Sequence, residues 1–294
     1  MSKESVFNEL APLLDKINCM IQSHDSYVYR GYNQNNELLP SLIRYENFTL
    51  FEKYLFQQFE KYALSYVNIT SLTDFILSAQ HYGLPTRLLD FTYNPFIAMF
   101  FATNRPKEPS LTSKEQSDND EYYCLRYVAK NDMEILPSLE AGLIWDQIEG
   151  NTSTSFSKRT HLGLYQFESK YKENLEKKIV ILDANFSNNR ILMQQGTFML
   201  PYTLDKKEHL DIIYDNSGVM KIHFSLRDEI RKHLDTLGFN AYRLMPDLPN
   251  VCSAIRSDAV KHLNDIIDTY GKIPNQEELS QIISQFQSHA TNEG

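Results

Sequence analysis

Apolar residues open the chain at helical spacing: Val6, Leu10, Leu13, Leu14, Ile17 and Ile21 share one face, which predicts an amphipathic helix over 5–22. SYVYRGY then alternates like a strand, with Tyr27 and Tyr29 on one side, and an Asn/Gln-rich turn follows. Residues 46–66 predict a helix with a broad aromatic face. Residues 72–82 predict another, with Leu72, Phe75, Ile76 and Ala79 aligned. Gly83 stands where a glycine stops a helix, with Pro85 just beyond. TRLLDFT (86–92) alternates as a strand. Asn94 then caps a helix with Pro95 at its first position, and FIAMFFA is apolar enough to be buried.

Residues 104–121 are polar and rich in breakers, so they read as a surface loop. YYCLRYVA and KIVILDA read as strands, the second fully buried, with the polar connector GNTSTSFSKR between them. RILMQQGTFML (190–200) reads as a strand pair or a strand bulged at Gly196. KIHFSL reads as a strand, and LRDEIRKHLDTLG as a helix closed by Gly238. PDLPNVCSAIR begins a further helix, and a terminal helix lies near 276–288. Strands and helices alternate irregularly, which favours an α+β domain with a mixed or antiparallel sheet over a doubly wound one.

Composition narrows the class. The 294 residues are 42% apolar, enough for a substantial core without disulfides or metals. The net charge of −9 excludes a globally basic nucleic-acid coat, though not a local basic cleft. Three distant cysteines (Cys19, Cys124, Cys252) form no CxxC, and no histidine pair has metal-binding spacing, so no metal is expected. No run of about 18 apolar residues appears, and the first residues lack a secretory signal's basic start and apolar core. The expectation is a reduced cytoplasmic protein that does not engage membranes.

Four segments interrupt apolar elements with polar and glycine residues. Tyr29-Arg30-Gly31-Tyr32 sets a forked cationic donor beside a backbone that permits close approach, which suits phosphate or carboxylate. Gln80 to Thr92 packs His81, Thr86, Arg87, Asp90 and Thr92 into one helix end, turn and strand. Alternation puts Asp90 and Thr92 on one face and Arg87 on the other, so Arg87 and Asp90 do not pair. Gln194-Gln195-Gly196 presents amides that can orient a ligand but cannot act as a base. The fourth segment, Phe239 to Arg256, reads as structural.

YRGY, followed by LPSLIR, QHYGLPTRLLDFTYNPFIAMFFA, RILMQQGTF and LGFNAYRLMPDL, resembles the FRG domain family, named for a Phe-Arg-Gly motif in which Tyr29 here replaces Phe. The resemblance runs from about 20 to 260, with residues 1–22 as a helix packed on that domain and 261–294 as a helical extension. More distantly, the order Arg30-Gly31, Asp90-Phe91-Thr92 before a helix, and Gln194-Gln195-Gly196-Thr197-Phe198 is similar to ADP-ribosyltransferases. Many of those carry glutamate where Gln195 stands.

That second resemblance implies an ADP-ribosyltransferase-like fold that uses NAD as substrate. Arg30 would clamp the pyrophosphate, Thr92 orient Arg30 or the ribose, Gln195 hold the ribose 2′-hydroxyl, and His81 or Glu52 act on the acceptor. Gly31, Tyr32, Arg87, Asp90, Tyr93 and Gln194 would surround the dinucleotide, with Tyr32 and Tyr93 stacking on its rings. Glu52 reads as a surface or ion-paired residue. The function implied is a bacterial toxin or phage-defence effector. It would transfer ADP-ribose to a nucleic acid or protein, with an inhibitory antitoxin as possible partner. The alternatives are a nuclease-type toxin acting on phosphodiesters through Arg30, His81, Arg87 and Asp90, and a non-catalytic module that senses a nucleotide or phage protein.

Overall fold

A computed structural model describes residues 4–23, 25–33, 35–45, 48–104, 121–139, 155–172, 178–183 and 189–246, with 252 and 255. The loop expected over 104–121, the helix start at PDLPNVCSAIR and the terminal helix near 276–288 fall largely or wholly outside these residues. The chain divides into two compact units, Met1–Asn240 and Ala241–Gly294, so the boundary expected near 260 falls within the second.

The first unit begins with β1 (Glu4–Phe7) and α1 (Leu10–Gln22). The predicted helix therefore loses its first turn to a strand: Glu4 to Phe7 alternate half-buried and exposed and pair with the last strand of the sheet. Next come β2 (Tyr27–Tyr32), α2 (Ser41–Arg44), α3 (Glu52–Ala63), α4 (Leu72–His81), β3 (Leu89–Thr92) and α5 (Pro95–Ala102). Here local chemistry decides the boundaries. Ser71 caps α4 by accepting from Asp74 N at 2.9 Å, and Gly83 ends it at φ 84°, a left-handed turn that glycine takes without strain. The Asn94 side chain accepts from Phe96 N and Ile97 N, with Pro95 in the first turn of α5.

After β4 (Tyr122–Ala129) and β5 (Met133–Leu136), α6 (Phe156–Lys172) takes the end of the stretch read as a connector, from Phe156 to Arg159, and runs on through residues for which the sequence pattern predicts no element. Its buried face mixes Leu164, Phe167 and Tyr171 with Ser157, Thr160 and Gly163, so the apolar period is faint in the sequence. Glu60 of α3 caps it, accepting from Phe156 N at 2.7 Å and Ser157 N at 3.3 Å. β6 (Ile179–Leu182), α7 (Asn189–Met193) and β7 (Gly196–Met199) follow. Residues 190–200 thus form a helical turn and a strand rather than a strand pair. Ile191 is the buried side chain of α7, while Leu192 and Met193 face outward. α8 (Lys206–Asp215), β8 (Gly218–His223) and α9 (Arg227–Thr236) complete the unit. Among the described residues, α10 (Ala241–Leu244) belongs to the second unit.

The strands form one mixed sheet in the order β1-β8-β4-β2-β3-β7-β6-β5, flanked by helices, as an α+β chain should. Both end pairs, β1–β8 and β5–β6, are parallel, and the pairs between them are antiparallel. α5 lies so close to β2 that a Cβ on Gly31 would sit 1.7 Å from the Ala98 carbonyl oxygen. One junction differs from the rest. β2 joins β4 over the whole run from Tyr27 to Tyr32, yet it joins β3 through Tyr29↔Thr92 alone.

Candidate functional site

Continued in register, the β2–β3 ladder would set Gly31 opposite Asp90 and Asn33 opposite Leu88. The strands part instead, and a cavity of about 750 Å³ opens there. Its size is that of a small-molecule site. Arg30, Gly31 and Asn33 from β2 and its end, Gln80, His81 and Gly83 from the end of α4, and Leu88 to Thr92 line it. Arg44, Arg190 and Gln194 complete the polar wall, and Ala98 and Phe101 of α5 close part of the apolar one.

Parting strands leave backbone groups to be satisfied, and Arg30 takes up one of them, the Asp90 carbonyl, together with the Glu37 carbonyl in the turn after β2. Its Nε and Nη2 donate to the Glu37 carbonyl at 3.1 and 2.6 Å, and its Nη1 donates to the Asp90 carbonyl at 2.6 Å. Three of five N–H donors are thereby used, and two remain. Both acceptors are neutral carbonyls, and among the described residues Arg30 forms no ion pair. Burial pulls its affinity for the proton below the ordinary value, while Asp90 and Glu37 oppose that pull.

Arg44 donates to the Leu39 carbonyl at 2.9 Å, and no described side chain bonds Arg190. Three arginines thus face two carboxylates, Glu37 and Asp90, inside a chain of net charge −9. The cavity is locally cationic, which favours an anionic ligand.

The residues expected at the site divide. Arg30, Gly31, His81, Asp90, Thr92 and Gln194 meet in the cavity. Thr92 is placed there but is not free to orient Arg30 or a ribose. Its hydroxyl donates to the Gln194 carbonyl at 2.7 Å and accepts from Asn94 N at 3.1 Å. It therefore pins the turn before β7, and the carbonyls of Glu37 and Asp90 orient Arg30.

Gln195 lies outside the lining. It is exposed, takes φ 44° in the α7–β7 turn, and its carbonyl accepts from Tyr93 N at 3.1 Å. Tyr93 is turned toward Thr197 and Asp183, and burial raises its hydroxyl to about 12. Tyr32 is buried under the sheet, where its hydroxyl accepts from Arg126 at 3.1 Å.

Arg87 is structural: Glu52 holds it through two bonds of 2.7 and 2.5 Å, and Glu168 through one of 2.5 Å. Glu52 is accordingly the ion-paired residue its sequence setting suggested. The separation of Arg87 from Asp90 also holds. Arg44 and Arg190 stand in segments that the sequence marked, LPSLIR and RILMQQGTF, but it gave them no role at the site and did not mark Glu37, because an arginine near a helix end and a glutamate in a polar turn carry no pattern of their own.

Among the described residues no group of side chains could hold a metal ion, and no helix is long and apolar enough to cross a membrane. No curated protein and no solved structure matches the chain. The family model of the FRG domain matches residues 25–110, the stretch from β2 through α5 that supplies Arg30, His81, Asp90 and Thr92 to the cavity. Over those residues the chain carries an FRG domain.

Proposed function

We propose that this cavity binds NAD and that the chain transfers its ADP-ribose group to a macromolecular acceptor. One observation carries the reading: an arginine-lined opening lies where β2 and β3 part, with the Gln194 turn of β7 on its far side. Arginines suit a pyrophosphate because the guanidinium fork offers paired donors to phosphate oxygens. The remaining two donors of Arg30 and the side chains of Arg44 and Arg190 supply that recognition. His81, at the end of α4 and on the cavity wall, is the group that would act on the acceptor. A toxin or phage-defence role is the cellular form of the same proposal, since uncontrolled NAD consumption or modification of a macromolecule arrests growth.

The test is incubation with NAD labelled in its adenylate half, for the wild-type chain and Arg190→Ala. The wild type should release nicotinamide and pass label to an acceptor. Because Arg190 has no described structural partner, Arg190→Ala should keep its thermal stability and raise KM about tenfold, the effect of one charge-assisted contact at a partly exposed site. A folded wild type that neither binds nor consumes NAD would overturn the proposal. Cleavage of nucleic acid without NAD would put the phosphodiester reading in its place.

A further inference from the structure

Asp90 is the unusual group in this cavity. It is an exposed carboxylate in a cavity with three arginines, and among the described residues none of them forms an ion pair with it. Arg30 comes closest and bonds its main-chain carbonyl instead. One Asp90 oxygen, Oδ1, accepts from Gln80 Nε2 at 3.2 Å. An ionised carboxylate offers about four acceptor positions, so most of them stay open.

The Gln80 amide is held in one orientation. The Leu88 N–H donates to Thr86 Oγ1 at 3.2 Å, so the Thr86 hydroxyl proton turns the other way and donates to Gln80 Oε1. That fixes the oxygen end of the amide on Thr86. The nitrogen end is left for Asp90 Oδ1 and for the Leu88 carbonyl, at 3.4 Å. Thr86 is itself fully buried, with its N–H on Ser41 Oγ at 3.1 Å. A chain of bonds from the buried end of the turn thus ends on a carboxylate aimed into the cavity.

We infer that Asp90 is the carboxylate that binds the hydroxyls of the ribose undergoing transfer, with Gln80 as its positioning residue. The inference rests on the proposed NAD reading and deepens it. An acceptor-only group beside a cationic wall fits a ligand that joins a diphosphate to a vicinal diol: the arginines take the phosphates and Asp90 accepts from the hydroxyls. In the transfer itself, the bond between C1′ and the nicotinamide nitrogen breaks and its electron pair leaves with nicotinamide. The acceptor's oxygen or nitrogen bonds C1′, and its proton passes to solvent. Positive charge gathers on the ribose as the bond breaks, and a carboxylate fixed on the adjoining hydroxyls stabilises it. This gives the site the anionic group that neither Gln194 nor Gln195 can supply.

The experiment compares the affinities of ADP-ribose and ADP for the wild-type chain, Asp90→Asn and Gln80→Leu by calorimetry, with melting temperatures and NAD turnover on the same samples. ADP-ribose should bind the wild type about tenfold or more tightly than ADP. Asp90→Asn should erase that margin while leaving ADP binding equal or slightly stronger, because a negative charge near the phosphates is gone. Its kcat on NAD should fall about a hundredfold, with a smaller change in KM. Gln80→Leu should lose part of the margin through misplacement of Asp90, with ADP binding unchanged. A wild type that does not distinguish ADP-ribose from ADP, or an Asp90→Asn that weakens both alike, would overturn the role of Asp90 and leave the nucleotide site standing. A wild type that binds neither ligand would remove the nucleotide reading and this inference together.

Discussion

Acidification should loosen this protein through His209, which lies fully buried on α8 with Nε2 3.0 Å from the Leu38 carbonyl. A carbonyl can only accept, so Nε2 carries the proton and Nδ1 is the bare nitrogen. Among the described residues Nδ1 has no hydrogen-bond partner. Protonating it would place a second cation near Arg30 in a dry setting. Burial first, and Arg30 in addition, hold the imidazole down to about 4, against an ordinary value of 6.5. The unfolded chain therefore binds a proton between pH 6.5 and 4 that the folded chain refuses. Stability from this group is full above pH 6.5 and is lost as pH falls through that window. At about 1.4 kcal/mol for each tenfold in proton affinity, the loss approaches 3 kcal/mol.

His209→Gln isolates the effect, because an amide can still donate to Leu38 and does not titrate. Urea unfolding of both proteins from pH 7 to 4 should show the wild type losing about 3 kcal/mol more than the variant across the window. His161 is also held low by burial and contributes with the same sign, but it is present in both proteins and cancels. Parallel pH curves for the two would refute the reasoning. The consequence reaches the cavity. Leu38 adjoins Glu37, whose carbonyl takes two of the three bonds made by Arg30, so ligand affinity should weaken in the same window.

Arg87→Met should cost about 3–5 kcal/mol of unfolding free energy, because Glu52 and Glu168 are left without their cation. Adding Glu52→Gln should restore part of it, and ligand affinity per folded molecule should not move, which calorimetry at matched folded fraction would check. Gly31→Ala should destabilise by about 3 kcal/mol or more, since the new methyl meets the α5 backbone and no flexible side chain can give way. A thermal melt within a degree or two of the wild type would disprove that close approach.

The sequence marks its punctuated segments best. Gly83, Pro85 and Asn94-Pro95 each admit few backbone conformations, so the end of α4, the start of β3 and the entry to α5 are readable without tertiary knowledge. Where the structure departs from the pattern, tertiary contacts decide. β1 is four residues long and gains its identity from pairing with β8. α6 turns small polar residues inward, because Glu60 satisfies its N-terminus and α3 packs closely on it. At the site, alternation separates Arg87 from Asp90 correctly but does not say which of those faces meets a ligand. The Arg87 face is filled by two glutamates from helices far away in sequence, and so Arg87 is structural and Asp90 is open.

The parting of β2 and β3 makes Arg30 a structural group and a binding group at once, and this changes how it must be tested. One of its three bonds takes up the Asp90 carbonyl of the parted β3 and the other two hold the Glu37 carbonyl in the turn after β2, so truncation leaves both carbonyls without that donor. Lost ligand binding in Arg30→Ala would then mix a missing contact with a relaxed cavity. Arg44 and Arg190 stand on the same wall with lighter structural duties, one bond to a carbonyl and none described. Their effects on affinity report recognition directly. Arg30 reports it only where the melting temperature is unchanged, and the geometry of its three bonds says that it will not be.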